Sequence, residues 1–373
     1  MKELDLMDFS SEKSASVARD TNQRWYALYQ VIEKPAVNSP SEQHPSGDDD
    51  SVTNASLSVL ASNLSGEDEI SLRIFMAKKV AKGPISVSGP SLISTWVLGE
   101  EDDDNRRRYS VYSLLFQPPW VKDKEESPSA SSPKGFLVCL ASPQFQELEL
   151  FQNELDAYCQ SLGELLDENL SNLADSVTSY LKKWNDQSIQ YIVRGVDILE
   201  DKLNPVLHGI LVGARIELEG FDEDRMKDLR KLIEACKIQL VGKTGDSATG
   251  RMTLHGGDGV KITSDFDEPP FFCQHWASQI FSIVNSTAVE AAVPIRNVIE
   301  DFKLKLIQDV NGLRRLVQQA KDDYYALFKA LTFLKHTGYP LVLLNLLKHQ
   351  SLFNGGDGTE LVLEILEEFL VRR

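Results

Sequence analysis

The longest regular pattern of apolar residues in this chain lies between residues 294 and 336. From Val310 onward, apolar side chains recur at alternating spacings of three and four, which indicates one buried helix face. Pro294 suits the first turn of a helix, and Gly338 with Pro340 supplies a stop signal. The pattern therefore predicts a single long helix over 294–336, roughly 60 Å in length.

The two halves of this predicted helix differ in what surrounds the apolar stripe. The first half has polar residues on its opposite side, and we expect five of them to form an exposed face available to a partner: Arg314, Arg315, Gln318, Gln319 and Asp322. The second half adds Tyr325, Phe328 and Phe333 outside the stripe, so we expect it to be enclosed on several sides. Gly312 allows a bend. Two roles stay open for the helix, a core element or a coiled-coil surface for another subunit.

The first 142 residues have the pattern of strands. Strands are predicted over Arg24–Ile32, Ile85–Leu98, Arg108–Phe116 and Gly135–Ala141, with a short amphipathic helix over Glu69–Ala81. The last of these strands is apolar throughout, and we expect it at the centre of its sheet. Residues 1–20 are predicted to be a disordered tail. The stretches 34–57, 99–107 and 121–134 are predicted to be flexible acidic insertions within a small module over 21–142.

From residue 143 to residue 373 the apolar spacing is mostly helical. It predicts helices over Phe145–Leu162, Leu165–Trp184, Ile189–Leu211, Asp222–Lys237 and Phe271–Ser286, and a last helix from Thr359 to the end. A glycine-rich loop or irregular hairpin is predicted at 242–268. The predicted fold class is α+β and predominantly α-helical. It comprises a small N-terminal α/β module, for which a longin-like topology is one option, and a larger helical domain with one very long helix.

Charge and composition narrow the classes of partner. The 373-residue chain has a net charge of −17, which argues against nucleic acid and anionic membranes as direct partners, since both require a basic face. No apolar run approaches the ~18 residues of a membrane span. The first residues are too acidic for a signal peptide. The cysteines are scattered without metal-ligand spacing and are interpreted as reduced, mostly buried thiols of a cytosolic protein: Cys139, Cys159, Cys236 and Cys273.

Two glycine-containing motifs resemble catalytic signatures but lack required parts. Gly242-Lys243-Thr244 has the end of a phosphate-binding loop, yet Lys237 stands where that loop needs its first glycine. The segment 245–250 resembles a hydrolase nucleophile elbow, except that Thr249 replaces a glycine. We therefore interpret both as loop sequence.

The remaining candidates for chemistry are a Cys-X-His pair and two acidic runs. Cys273 and His275 have no second pair to complete four zinc ligands, which favours a packed aromatic cluster of Phe271, Phe272 and Trp276. The acidic runs 48–50 and 100–104 lack the ligand spacing of a calcium loop. The residues thus predict no catalytic, cofactor-binding or metal-binding site.

Several blocks of sequence resemble one eukaryotic family. The stretch Glu300–Lys335 is similar to the most distinctive segment of the Njmu-R-one family, and Leu148–Leu162 resembles its middle region. Shorter blocks agree in order, namely Ile74–Gly83, Ser179–Trp184, Asp201–Gly209 and Leu366–Leu370. The resemblance extends from about Trp25 to the end of the chain and includes no catalytic motif.

The resemblance implies a non-enzymatic subunit of a vesicle-tethering complex. Family members assemble with a WD-repeat propeller scaffold (the WDR-eleven protein) and a FAM-ninety-one protein at the trans-Golgi network. With a TBC-domain adaptor, that complex helps golgins capture AP-one-derived vesicles travelling from endosomes to the Golgi. The family is also linked to spermatogenesis. We therefore expect a cytoplasmic protein, peripheral at the trans-Golgi network and on cytoplasmic vesicles, without a cofactor and without membrane insertion. The alternatives are a small-GTPase regulatory scaffold and an enzyme with a dispersed site.

Overall fold

The structure is a computed structural model of the 373-residue chain. It describes residues 23–33, 55–87, 89–98, 107–122, 134–166, 170–238, 253–255, 260–263, 271–286, 290–354 and 358–371. These residues form two compact units, Met1–Lys182 and Lys183–Arg373. The predicted tail 1–20 lies outside the described residues, as do most of the predicted insertions 34–57, 99–107 and 121–134.

The first unit is built on a five-stranded antiparallel sheet. Its strands are β1 (Trp25–Glu33), β2 (Ala55–Ser62), β3 (Leu92–Leu98), β4 (Arg107–Phe116) and β5 (Gly135–Ser142), in the sheet order β2-β1-β5-β4-β3. Every residue of β5 is buried, and β5 lies in the middle of the sheet. Its predicted central position is therefore confirmed.

Helices cover both faces of this sheet. They are α1 (Gly66–Ala81), α2 (Pro119–Lys122), α3 (Phe145–Leu150), α4 (Gln152–Leu165) and α5 (Leu170–Lys182). On one face, Trp96 of β3 donates its indole N–H to Ser71 of α1 at 3.3 Å. On the other face, Tyr112 of β4 donates its hydroxyl to Asp156 of α4 at 2.6 Å. The sheet is thus the middle layer of a three-layer unit.

The structure differs from the predicted boundaries of this module in four places. Residues 55–57, assigned to an insertion, belong to β2, whose alternation of serine and apolar side chains suits a strand covered on one face. Residues 121 and 122 belong to α2, and residue 107 begins β4. Residues 143–182, assigned to the helical domain, belong to the first unit.

A buried ion pair explains why α3 stays with the sheet. Glu147 of α3 is 1% exposed, and the Arg24 guanidinium donates to both of its carboxylate oxygens at 2.6–3.1 Å. The Ser142 hydroxyl at the end of β5 also donates to Glu147. A buried carboxylate requires such partners because leaving it unpaired costs several kcal/mol. Arg24 and Ser142 therefore tie α3 to the strands.

The second unit begins with helices around a small sheet. The helices are α6 (Trp184–Ser188), α7 (Tyr191–Leu199), α8 (Leu203–Leu211), α9 (Glu223–Cys236) and α10 (Phe271–Ser286). The strands β6 (Arg215–Leu218), β7 (Thr253–His255) and β8 (Val260–Thr263) form an antiparallel sheet in the order β6-β8-β7. In the predicted loop 242–268, the described residues therefore form a hairpin. The helix predicted over Ile189–Leu211 is interrupted at Glu200, which has a positive φ of 47°.

The unit ends with α11 (Ala292–Ala320), α12 (Tyr324–Thr337), α13 (Pro340–Asn354) and α14 (Gly358–Val371). The single helix predicted over 294–336 is therefore wrong, because the chain leaves helical geometry at residues 321–323. The predicted stop is confirmed, since Gly338 ends α12 in the left-handed conformation at φ 80°. The apolar spacing did not predict α13.

Candidate interaction surface

Two consecutive aspartates separate α11 from α12. Asp323 has an extended backbone, with φ −135° and ψ 108°, and its carboxylate accepts a hydrogen bond from the N–H of Tyr325 at 2.8 Å. This is the geometry of a helix N-cap, in which a short polar side chain satisfies a free backbone donor of the first turn. Asp323 therefore starts a second helix where the apolar spacing alone predicted continuation.

The second helix folds back along the first. A Cβ placed on Gly312 of α11 would lie 3.4 Å from Cζ of the Phe333 ring in α12. Residues 312 and 333 are nearly equidistant from the break at 321–323, so this contact defines an antiparallel helical hairpin. Gly312 was predicted to allow a bend, and in the structure it lies within the continuous helix α11, where the Phe333 ring packs against it at van der Waals distance.

The predicted partner face lies on the solvent side of this hairpin. On α11 the stripe of Val310, Leu313 and Val317 is buried at 1% exposure or less. The five predicted face residues are all exposed: Arg314, Arg315, Gln318, Gln319 and Asp322. The structure thus places them on one side of α11, leading into the turn. Whether they bind a partner stays a prediction.

Three aromatic residues continue this exposed surface onto α12. Tyr324, Tyr325 and Phe328 are 91%, 63% and 64% exposed. The Nζ atom of Lys329 lies 4.5 Å from the centroid of the Tyr325 ring, within the range of a cation–π contact. We call the exposed residues of α11 and α12 the hairpin surface, and it consists of Arg314, Arg315, Gln318, Gln319, Asp322, Tyr324, Tyr325 and Phe328.

The prediction that the second half of the helix is enclosed is wrong for these aromatic residues. The break at 321–323 starts a new helical register, in which Ala326, Ala330 and Leu334 face the core with 0–2% exposure. Tyr324, which falls on the spacing of three and four that continues from Val310, is turned outward. The sequence did contain the signal, because two aspartates precede small residues spaced four apart, a pattern typical of a capped helix with a closely packed face.

The stretch that carries the hairpin surface has a charge opposite to that of the whole chain. Between residues 314 and 336 there are five Lys or Arg and two Asp side chains, a local net charge of +3 against −17 overall. Exposed tyrosine, phenylalanine and arginine are the residue types enriched in protein interfaces. The surface therefore suits a protein partner whose contacting face is acidic.

The start of α14 lies beside the turn of the hairpin. A Cβ on Gly358, the first residue of α14, would lie 3.5 Å from Cδ of Lys321. Leu361, in the first turn of α14, is 59% exposed. The C-terminal helix thus adds an exposed apolar side chain at the same end of the hairpin.

The residues considered as candidates for catalysis or metal binding lie in surroundings that suit a structural role. All four cysteines are buried and free of disulfides. Burial raises the pKa of Cys159, Cys236 and Cys273 to about 12, so their thiols stay protonated at neutral pH. Within the described ranges, no three or more His, Cys, Asp or Glu side chains are grouped to hold a metal ion. The glycine motifs at 242–250 lie outside the described residues.

The aromatic cluster predicted near Cys273 is confirmed in part. Phe272 and Trp276 lie 5.9 Å apart and both contact Phe302 of α11. Tyr339 completes the group, with its ring 4.1 Å from that of Phe272. Phe271 is 77% exposed and lies outside the cluster. The region is therefore a packing centre between α10 and α11.

Fold and surface together define a class of protein: an α+β chain, mainly helical, that exposes an aromatic and basic helical hairpin. Across the described part of the chain, no helix combines the length and apolar character needed to cross a membrane. The chain belongs to the Njmu-R1-like protein family, whose family model matches residues 29–372.

Comparison with known proteins agrees with this membership. A mouse (Mus musculus) protein described as Protein Njmu-R1 is 31% identical to this chain over 339 residues, which are 87% of this chain and 82% of the mouse protein. No solved structure matches the chain. The predicted family resemblance is therefore confirmed over nearly the whole sequence.

Proposed function

We propose that this chain is a non-enzymatic subunit of a vesicle-tethering complex at the trans-Golgi network. In this proposal it assembles with the WD-repeat propeller protein and the FAM-ninety-one protein. Through a TBC-domain adaptor, the complex aids golgin-mediated capture of AP-one-derived vesicles. The subunit role requires no cofactor and places the protein on the cytoplasmic side of Golgi and vesicle membranes.

Family membership and the hairpin surface support the proposal. A solvent-exposed Tyr324, Tyr325 and Phe328 group costs solubility and offers no gain to an isolated protein, whereas it is typical of a surface covered by a partner. The observation that carries the argument is that these exposed rings and the exposed Arg314 and Arg315 lie on the two helices of one hairpin in an otherwise acidic chain.

A pull-down from the protein's own cells tests the subunit role. The tagged full chain is recovered at moderate salt, and bound proteins are quantified by mass spectrometry. We expect near-stoichiometric recovery of the WD-repeat and FAM-ninety-one proteins. Recovery of the chain alone, from cells in which both partners are expressed, would contradict the proposal.

The order of strands favours one second candidate, a scaffold that regulates small GTPases. The first unit has the sheet order β2-β1-β5-β4-β3, with α1 between β2 and β3 and helices following β5. This is the order of a longin-like module, although a shared topology does not by itself fix a function. Binding of Golgi GTPases to the immobilised full chain, compared between the GTP-analogue and GDP states, tests it. A regulator discriminates between the two states, and equal or absent binding to both would exclude this role.

A further inference from the structure

The C-terminal helix α14 has an apolar row on its outer side. Leu361, Ile365 and Phe369 follow one another at a spacing of four residues, which places them in line along the helix. Leu361 and Phe369 are 59% and 56% exposed, and Ile365 is half-buried. The opposite side of the helix is the one that packs into the unit, through the buried residues Val362, Leu363 and Leu366. The row therefore lies outside the core.

Acidic side chains flank this row. The helix α14 contains four glutamates and no lysine or arginine, and the two arginines that follow it lie outside the described residues. Glu367 pairs with Lys348 of α13. The other three glutamates are exposed and, at about 100° per residue, fall within the same half of the helix as the row: Glu360, Glu364 and Glu368. The outer side of α14 is thus apolar and acidic.

The outer side of α12 has the complementary chemistry. It carries the three exposed rings of the hairpin surface, and Lys329 and Lys335 are exposed on the same helix. No residue of α12 is acidic, since Asp323 precedes the helix as its cap. One helix therefore presents aromatic rings with lysines, and the other presents aliphatic and phenyl side chains with glutamates. Surfaces of this kind attract each other through apolar burial and through opposite charge.

A second copy of the chain can cover both surfaces, whereas one molecule cannot. Within the unit α12 and α14 contact each other, and their outer sides remain exposed in that arrangement. A two-fold axis that runs between the two helices places α12 of each copy on α14 of the other, which is a closed and reciprocal contact. Pairing α14 with α14 would instead bring glutamates together, and pairing α12 with α12 would bring lysines together.

We propose that this chain forms a two-fold dimer in which α12 of one copy packs against α14 of the second copy. The inference goes beyond the proposed subunit role and does not depend on it, because it concerns the chain alone. The contact uses the rings of the hairpin surface, so a second copy and an acidic partner protein would compete for them. The two helices supply fewer than the ~20–30 residues on each side of a standard interface, so we expect a Kd on the order of 10 µM.

Sedimentation equilibrium of the purified full chain tests the association itself. The concentration is varied between about 1 and 200 µM, a range that brackets the expected Kd. The mean mass should rise from the 41.8 kDa of one chain to twice that value and no further, because a two-fold contact is closed. A mass that stays at one chain, or that grows beyond two, would overturn the proposal. Neither result would bear on the subunit role, which the pull-down tests separately.

Two double variants place the contact on these helices. Tyr325→Asp/Phe328→Asp alters the outer side of α12, and Leu361→Asp/Phe369→Asp alters that of α14. Each should raise the Kd of the dimer at least about tenfold, because exposed anchors of the interface are lost. Phe271→Asp is the matched control, since Phe271 is 77% exposed on α10, and it should leave the Kd unchanged. A dimer that survives either double variant would use another face and would contradict the inference.

An exchange of charges distinguishes docking from a folding defect. Lys329→Glu/Lys335→Glu and Glu364→Lys/Glu368→Lys should each weaken the dimer several-fold, because like charges would then face each other across the contact. A chain that carries all four substitutions should regain most of the lost affinity, since opposite charges face each other again. Misfolded variants would not restore one another in this way. If the fourfold variant associates no better than the two double variants, α12 does not pack on α14 of a second copy.

Discussion

At the residue scale, two glycines lie on helix faces that pack against a neighbouring helix. A Cβ on Gly312 of α11 would meet the Phe333 ring at 3.4 Å, an ordinary contact distance. A Cβ on Gly195 of α7 would lie 3.0 Å from Cδ2 and 3.2 Å from Cβ of Leu232 in α9, which is too close without displacement. The same substitution should therefore have opposite effects at the two positions.

We predict that Gly312→Ala stabilises the protein by about 0.5–1 kcal/mol, since alanine is the better helix former and its methyl group fits beneath the ring. Gly195→Ala should destabilise it by about 1–2 kcal/mol, because the α7–α9 contact must open. Urea unfolding of the two variants beside the natural chain measures both values. If the two variants changed the free energy of unfolding in the same direction, the helix spacings would differ from those described.

His208 on α8 makes stability depend on pH. It is buried, and burial lowers its pKa below the ordinary 6.5. The unfolded chain therefore binds a proton at higher pH than the folded chain. The contribution of His208 to the free energy of unfolding is therefore fully present above about pH 6.5, and it is lost as the pH falls toward the pKa of the folded state.

We predict that, as the pH falls from 7.5 to 5.5, the free energy of unfolding declines less steeply for His208→Gln than for the natural chain. Urea unfolding at each pH measures both values. The difference in slope should approach but not exceed about 1.4 kcal/mol per pH unit, the value for one proton. The two proteins should have parallel stabilities above pH 7, where the imidazole is neutral in both states. Identical slopes throughout the range would show that His208 titrates normally.

At the element scale, the apolar spacing predicted most helices and four strands. It failed where polar side chains determine the point at which a helix ends and the next begins. The extent Phe271–Ser286 of α10 was predicted correctly because its apolar stripe is continuous. The α11–α12 break was missed because Tyr324 fits the three–four spacing by coincidence, while the Asp323 cap and the Gly312–Phe333 contact depend on the fold. The polar half of the hairpin surface was predicted, and its aromatic half was missed, although the two aspartates before Ala326 and Ala330 were a signal for it.

The Asp323 cap leads to a testable prediction about the start of α12. Asp323→Ala should destabilise the protein by about 1 kcal/mol, because the N–H of Tyr325 loses its acceptor at the start of α12. Asp322→Ala is the matched control, an exposed neighbour outside the cap position, and should change stability by less than about 0.5 kcal/mol. Equal effects of the two variants in thermal unfolding would contradict the assigned cap.

At the scale of the whole molecule, each unit presents a different kind of surface. The first unit exposes the edge strand β3, and the second exposes an aromatic helical hairpin in a stretch with a local charge of +3. This local charge is opposite to the chain's −17. Composition alone therefore indicated an acidic protein, whereas the surface proposed to bind a partner lies in a basic stretch. Only the folded arrangement reveals this separation.

The central claim is that the hairpin surface binds the partner proteins. The most direct test is a quantitative pull-down of the full chain with the variant Tyr325→Asp/Phe328→Asp, beside Phe271→Asp, which alters an equally exposed aromatic residue outside the hairpin. We predict that the double variant recovers at least about tenfold less WD-repeat and FAM-ninety-one protein, because buried aromatic anchors contribute most of an interface's affinity. Phe271→Asp should recover both normally. Full recovery by a correctly folded double variant would contradict the account.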